Sequence, residues 1–296
     1  MLILNLTNCL SWKKMMAYLS ILFLASLFIL MGCISFRTND SSVSRKYLKK
    51  GLEVRVYHES FEGTSIRWIE TGLEEAEAPI LLFVHGAPGS SNAYDKYLQD
   101  NDLIVKARLI SIDRLGYGYS DYGHATTSIA RQAKQVAFVS QQYPQSKKII
   151  LIGHSFGGPI VSKTMMDYPS LATAGILLAP AVDPDHEKIL WVANFTKWKA
   201  TRWLFSAAIK VSSDEKFSHI HELQQMDSQW HKIIRPIIHI HGTKDNIVPY
   251  PNLNYVKSKL PDSLLTAITW QGANHLIIWN KYKEVKKIIL STLEKD

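Results

Sequence analysis

The stretch IILIGHSFGG, residues 149–158, decides how the rest of the chain is read. Four apolar residues run directly into Gly153-His154-Ser155-Phe156-Gly157, followed by Gly158 and Pro159. A short apolar run bounded by glycine reads as a strand buried on both faces. The glycines after Ser155 let a helix start close to the sheet, and Pro159 falls in the first helical turn, where its missing donor costs nothing. A serine at the apex of a strand-to-helix turn is the setting in which Gly-x-Ser-x-Gly presents a hydroxyl as a nucleophile, because only glycines flank so strained a turn closely. A glycine-rich turn with a structural serine is the competing reading, and the position at a strand–helix junction weighs against it.

Further runs of the same kind lie on both sides: residues 79–86, 107–113, 174–180, 235–242 and 264–270. Two alternating segments, 52–60 and 64–70, flank a turn at Glu62-Gly63 and suit an antiparallel edge. Helical patterns fall between the runs, among them 127–143, where Ile129, Ala133, Val136 and Ser140 share a face. Strand and helix alternating in this way predict an α/β fold, a doubly wound and mostly parallel sheet. A length of 296 residues, 46% hydrophobic and 20% charged, suits one large domain of this class over residues 51–296. One interval is too long for a simple crossover. Residues 182–234 hold Trp191, Phe195, Trp198, Trp203, Phe205 and Trp230 among lysines, and are expected to form a helical cap over the carboxyl ends of the strands.

The amino terminus reads as targeting sequence rather than fold. Lys13 and Lys14 precede an uncharged apolar run, residues 15–30, shorter than the roughly 20 residues a spanning helix wants. The run ends in Leu30-Met31-Gly32-Cys33, which resembles the lipobox of bacterial lipoproteins. That resemblance implies a signal peptide over 1–32, acylation of Cys33, and an exported domain anchored to the membrane in the bacterial cell envelope. A plain transmembrane anchor is the alternative. Residues 33–50, polar and serine-rich, are expected to be a tether. Loss of residues 1–32 leaves one cysteine, hence no internal disulfide, and lowers the formal charge from +8 to +6. This modest basic excess suits a place near anionic lipid, and with scattered charges and no reader motif it is a poor sign of nucleic-acid binding.

A serine hydroxyl needs a neighbouring base, and that base needs a carboxylate. His275, in WQGANH after the last strand, is the candidate base, since sites in such sheets gather at the carboxyl ends. His154 neighbours Ser155 but points to the opposite side of an extended chain, and His85 is expected to bond backbone. Asp245, in HGTKDNIVP, is the candidate acid, with Asp183 in APAVDP the alternative. The Ala87 and Phe156 N–H groups are candidate oxyanion donors: Pro88 offers no competing donor beside Ala87, and Phe156 stands near a helix start.

Taken in order, HGAPG, DRLGYGYS, GHSFGG, GTKDNIVP and GANH resemble the α/β-hydrolase family, over about residues 52–295. The resemblance implies the α/β-hydrolase fold, with Ser155 as nucleophile, Asp245 as acid, His275 as base, and Ala87 and Phe156 as oxyanion donors. It leaves Asp113 and Ser120 unassigned. Serine at the elbow, where dehalogenases and epoxide hydrolases of this family carry aspartate, favours acyl transfer to water. A serine-dependent carboxylesterase acting on small or medium apolar acyl esters is therefore expected, with a small-molecule ester as partner and no cofactor. A peptidase, lactonase or carbon–carbon bond hydrolase would use the same triad, and a non-catalytic envelope lipoprotein binding lipid or protein is the reading from outside enzymology. The pairs His219/His221 and His239/His241 have the spacing that places both rings on one strand face, but no further metal-ligand spacing accompanies them and no metal site is expected.

Overall fold

The computed structural model describes residues 12, 14–20, 36–189 and 193–295. Its centre is an eight-stranded sheet: β1 (Arg55–Phe61), β2 (Thr64–Gly72), β3 (Ile80–Val84), β4 (Arg108–Ile112), β5 (Ile149–His154), β6 (Ala174–Leu178), β7 (Ile237–Gly242) and β8 (Leu265–Trp270). The spatial order is β1-β2-β4-β3-β5-β6-β7-β8. The pairs β1/β2 and β2/β4 are antiparallel, and every later pair is parallel. The expected antiparallel edge is therefore the β1–β2 hairpin.

Every residue of β3, β4, β5, β6 and β7 is buried, as continuous apolar runs require when helices cover both faces. Side chains alternate between two cores. Ile80, Leu82 and Val84 join Leu151, Ile160 and Val136 on one face, while Leu81 and Phe83 join Ile150, Ile152 and Ile289 on the other. The helices packing these faces include α1 (Asp40–Leu48), α2 (Ile129–Gln141), α3 (Gly157–Asp167), α4 (Ala207–Asp227), α5 (Pro251–Lys259) and α6 (Tyr282–Leu293). On α2, Ile129, Ala133, Val136 and Ser140 are all buried, the face anticipated from their spacing. The edge strand β8 is only half-buried, unlike the central runs it was grouped with.

The segment expected to be a tether is corrected in its second half. Residues 40–48 form α1, whose Val43 and Tyr47, four residues apart, are buried in the core. The Asn39 side chain accepts the Ser42 N–H at 2.9 Å and caps the helix, Asp40 sits in its first turn and Arg45 and Lys46 in its last. Tyr47 donates its hydroxyl to Asp95 at 2.9 Å, and Lys46 pairs with the same carboxylate. Two apolar residues at helical spacing, rather than composition, govern this stretch.

Between β6 and β7 the chain forms short helices at Asn194–Lys197 and Lys199–Arg202 and then α4. Trp230 is buried, Trp198 and Trp203 are exposed, and Trp191 lies outside the described residues. None of those three described tryptophans lines the cavity above Ser155; Phe205 does. Cys33 also lies outside the described residues, and no helix among them is long and apolar enough to cross a membrane.

Candidate active site

Register places the ends of the parallel strands at one level: Val84 pairs with Ile112 and with Gly153, and His154 pairs with Leu178. Ser155 follows β5 immediately and has φ of 53°, a left-handed conformation that a residue bearing Cβ adopts at a cost of about 1–3 kcal/mol. The surrounding backbone holds it there: Ser155 N–H donates to Leu178 O at 3.0 Å, and Ser155 O accepts from Gly158 N at 2.9 Å. The flanking glycines are required by space. A Cβ on Gly157 would lie 2.2 Å from Val84 O, and one on Gly153 would lie 2.4 Å from Gly157 O.

Thirty residues apart in sequence, Asp245 and His275 meet after β7 and β8. His275 Nδ1 and Asp245 Oδ2 are 2.7 Å apart, with both residues buried. The other Asp245 oxygen accepts the N–H groups of Ile247 at 2.9 Å and Val248 at 2.8 Å. Burial pushes this carboxyl up, but the bonds from His275, Val248 and Ile247 outweigh it and hold the group below its ordinary range. An ionised Asp245 keeps the proton of neutral His275 on Nδ1, leaving Nε2 as the basic nitrogen. Ser155 and His275 line one cavity, without a hydrogen bond between their side chains; such bonds commonly tighten only in the complex with substrate.

The alternative acid is engaged elsewhere. Asp183 accepts from Asp185 N–H at 2.9 Å and from His186 Nδ1 at 2.7 Å, capping the turn Pro184–His186. Asp113 is fully buried and structural: it accepts from Ser91 N at 2.7 Å, Tyr119 N at 2.9 Å and Arg67 Nη1 at 2.9 Å. Ser120 takes the Arg67 N–H at 2.8 Å. His85 bonds backbone as expected, Nδ1 to Gly86 O at 2.6 Å and Nε2 accepting Arg114 N–H at 3.1 Å.

Two expectations about histidines are corrected. His154 does not point away from the site: its Nε2 donates to the His275 carbonyl at 3.0 Å, and the two rings lie 4.8 Å apart. The alternation of an extended chain fails here because Ser155 is left-handed, which turns both side chains to the same end of the sheet. His219 and His221 lie on helix α4, not on a strand. His239 and His241 do share a face of β7, where His239 Nε2 donates to His241 Nδ1 at 3.1 Å and His241 Nε2 to Val248 O at 3.0 Å. That chain braces the loop whose Val248 N–H binds Asp245. Among the described residues no group of three or more His, Cys, Asp or Glu is placed to hold a metal.

Buried histidines make stability pH-dependent. His154 and His219 are each held down to about 3, by burial first and then by His275 and Lys216 respectively. In the unfolded chain they take up protons near pH 6.5, so the unfolded state binds more protons below that value. Their contribution to stability is complete above about pH 6.5 and is expected to be lost progressively as pH falls below it, because the folded state resists taking up these protons. Urea titrations at about pH 7 and about pH 5 check this, and equal midpoints would refute it.

Two cavities meet at Ser155. One, about 280 Å³, lies under the cap and is lined by Phe156, Ala181, Phe205, Ile209 and Val248, with Lys216 and His219 at its wall. The other, about 590 Å³, holds His154, His275, Leu276, Trp279 and residues 36–38. Ala87, Pro88, Ser155 and Ile247 belong to both. Neither the Ala87 nor the Phe156 N–H donates to a described acceptor, and Phe156 is the N-cap of α3, where backbone donors and the helix dipole favour negative charge.

Arg114 ties the cap to this site, a link that no motif announced. Fully buried, it pairs with Glu215 of α4 through Nη1–Oε1 at 2.8 Å and Nη2–Oε2 at 3.2 Å. Its Nη2 also donates to Gly86 O at 3.3 Å, and its guanidinium lies 4.9 Å from the Phe156 ring centre. Tyr117 at 2.6 Å and Gln132 at 2.8 Å complete the Glu215 shell. Glu215→Ala leaves a buried guanidinium unpaired, so a loss of about 3–5 kcal/mol is expected in denaturant unfolding; a loss under about 1 kcal/mol would show the pair to be dispensable.

Comparison with known proteins agrees with this architecture. The α/β hydrolase fold family is matched over residues 79–227. A 1-acylglycerol-3-phosphate O-acyltransferase of Arabidopsis thaliana is 26% identical over 179 residues, 48% of this chain and 42% of that one. A protein phosphatase methylesterase 1 of Candida albicans is 27% identical over 150 residues, 49% and 41%. The chain thus spans less than half the length of these relatives. Among solved structures, a bacterial membrane phospholipase A superposes with TM-score 0.64 at 16% identity, covering 96% of this chain and 100% of that one. An esterase from Rhodococcus does so with TM-score 0.59 at 20% identity, covering 82% and 98%. With the sheet order, the match over half the chain and these neighbours in agreement, the chain belongs to the α/β-hydrolase family.

Proposed function

We propose that this protein is a serine-dependent carboxylic ester hydrolase. The observation that supports it most is the Asp245–His275 pair at 2.7 Å, opening into the cavity that holds a left-handed Ser155 beside two free N–H groups. In this reading His275 Nε2 takes the Ser155 proton as Oγ attacks the ester carbonyl, and the oxyanion rests on the Ala87 and Phe156 N–H groups. His275 then gives that proton to the leaving alcohol, and an acyl-serine remains. Water, deprotonated by His275, attacks the acyl carbon; Ser155 leaves and recovers the proton.

Because His275 must reach the leaving oxygen, the alcohol half belongs in the 590 Å³ cavity that contains it. The acyl half then enters the cap cavity, whose 280 Å³ lies at the small end of ligand pockets and whose lining is mostly apolar. Esters of small or medium acyl chains follow. The exported, Cys33-anchored placement expected from the amino terminus is part of the same proposal. A fluorophosphonate probe tests the chemistry: one adduct, mapped by mass spectrometry to the peptide bearing Ser155, is expected, and folded protein that takes up no probe would refute the assignment.

A further inference from the structure

The alcohol-side cavity is walled by Phe36, Arg37 and Thr38, the first described residues beyond the apolar run and Cys33. Three Cα-to-Cα steps separate Cys33 from Phe36, a reach of at most roughly 11 Å. This stretch of chain is fixed to the domain. Thr38 Oγ1 accepts from Asn92 Nδ2 at 2.7 Å, and the Arg37 guanidinium lies 4.0 Å from the Tyr122 ring centre and 4.7 Å from that of Tyr119. Helix α1 then buries Val43 and Tyr47 in the core. Whatever holds the chain just before Phe36 therefore holds the mouth of the cavity as well.

The mouth itself is apolar where water would favour polar groups. Phe36 is 39% exposed, Leu276 42%, Trp279 44% and Ile247 55%, and all four line this one cavity. Clustered exposed apolar side chains at a site entrance mark a surface that meets another apolar phase. The cap carries the exposed Trp198 and Trp203 with Lys197, Lys199 and Arg202 around them, the mixture that suits a lipid–water interface. A net positive chain complements anionic headgroups.

We propose that this rim docks on an anionic lipid bilayer, and that the substrate is a membrane-borne ester whose alcohol half, a glycerolipid backbone, enters the cavity beside Phe36 and Arg37 while its short or medium acyl group fills the cap cavity. The substrate class rests on the esterase reading above; the docking does not. The full chain, reconstituted in vesicles of phosphatidylethanolamine and phosphatidylglycerol, is labelled with an environment-sensitive dye at Leu276→Cys or at Val105→Cys. Val105 is 66% exposed just before the amino end of β4, at the opposite pole of the sheet, and the unsubstituted chain serves as blank. Lipid-borne nitroxide is expected to quench the dye at 276 several-fold more than at 105. Equal quenching, or quenching at 105 alone, would overturn the docking, and a label at 276 shielded by self-association without vesicles would assign the rim to a second copy instead. For the substrate, Leu276→Asp is expected to lower turnover of a glycerolipid ester in those vesicles about tenfold more than turnover of a soluble aryl ester, the effect of roughly one unfavourable charge at the interface. Equal losses would overturn the lipid substrate. Dye quenching needs no turnover, so failure of the esterase reading, seen as lost probe labelling, is distinguishable from failure of the docking.

Discussion

Ser155→Ala is expected to lower kcat/KM on soluble aryl esters by on the order of 10⁶, with little change in unfolding midpoint. The hydroxyl is the only atom removed, and the left-handed turn is held by backbone bonds to Leu178 and Gly158 that alanine retains. Alanine at φ 53° carries the same strain as serine, so the fold neither gains nor loses much. What remains in the variant is binding and the two N–H donors, which by themselves sustain only a small residual rate. A drop of less than about tenfold would mean that the bond-making atom lies elsewhere.

Asp245→Asn is expected to cost about 10⁴ in kcat while Asp183→Asn changes it little. The asparagine would still fill the space against Ile247 and Val248, but its amide no longer secures the His275 tautomer that leaves Nε2 basic. Asp183 has a separate task, accepting from His186 and Asp185 at the turn after β6, so its loss should be felt in stability. Measured turnover of the two purified variants decides between them, and the reverse ranking would place the carboxylate role at Asp183.

How legible the molecule is in its sequence depends on the range of the interaction concerned. The central strands announce themselves because burial on both faces leaves them no polar residue to alternate with, and the same condition places Ser155 at the end of β5. The pairing of Asp245 with His275 was foreseeable from chain order and from their places after β7 and β8. Helix α1 was not, since a polar, serine-rich stretch hides two buried residues, Val43 and Tyr47, whose value exists only against Asp95 and the sheet. Nor was His154, because a rule valid along a strand was carried one residue too far, into a left-handed turn.

Local order thus follows from the amino-acid sequence alone: the strand runs, the glycines that let Val84 and Gly157 approach, and the ordering Ser155, Asp245, His275. Tertiary structure decided what depends on distant partners. It set Arg114 against Glu215 across the cap and core, gave Asp183 and Asp245 different neighbours, divided the space at Ser155 into two cavities, and brought Phe36 to the edge of one of them. The reason is physical: propensity and periodicity act over a few residues, whereas burial and electrostatic pairing act through space and are set only when the whole sheet has closed.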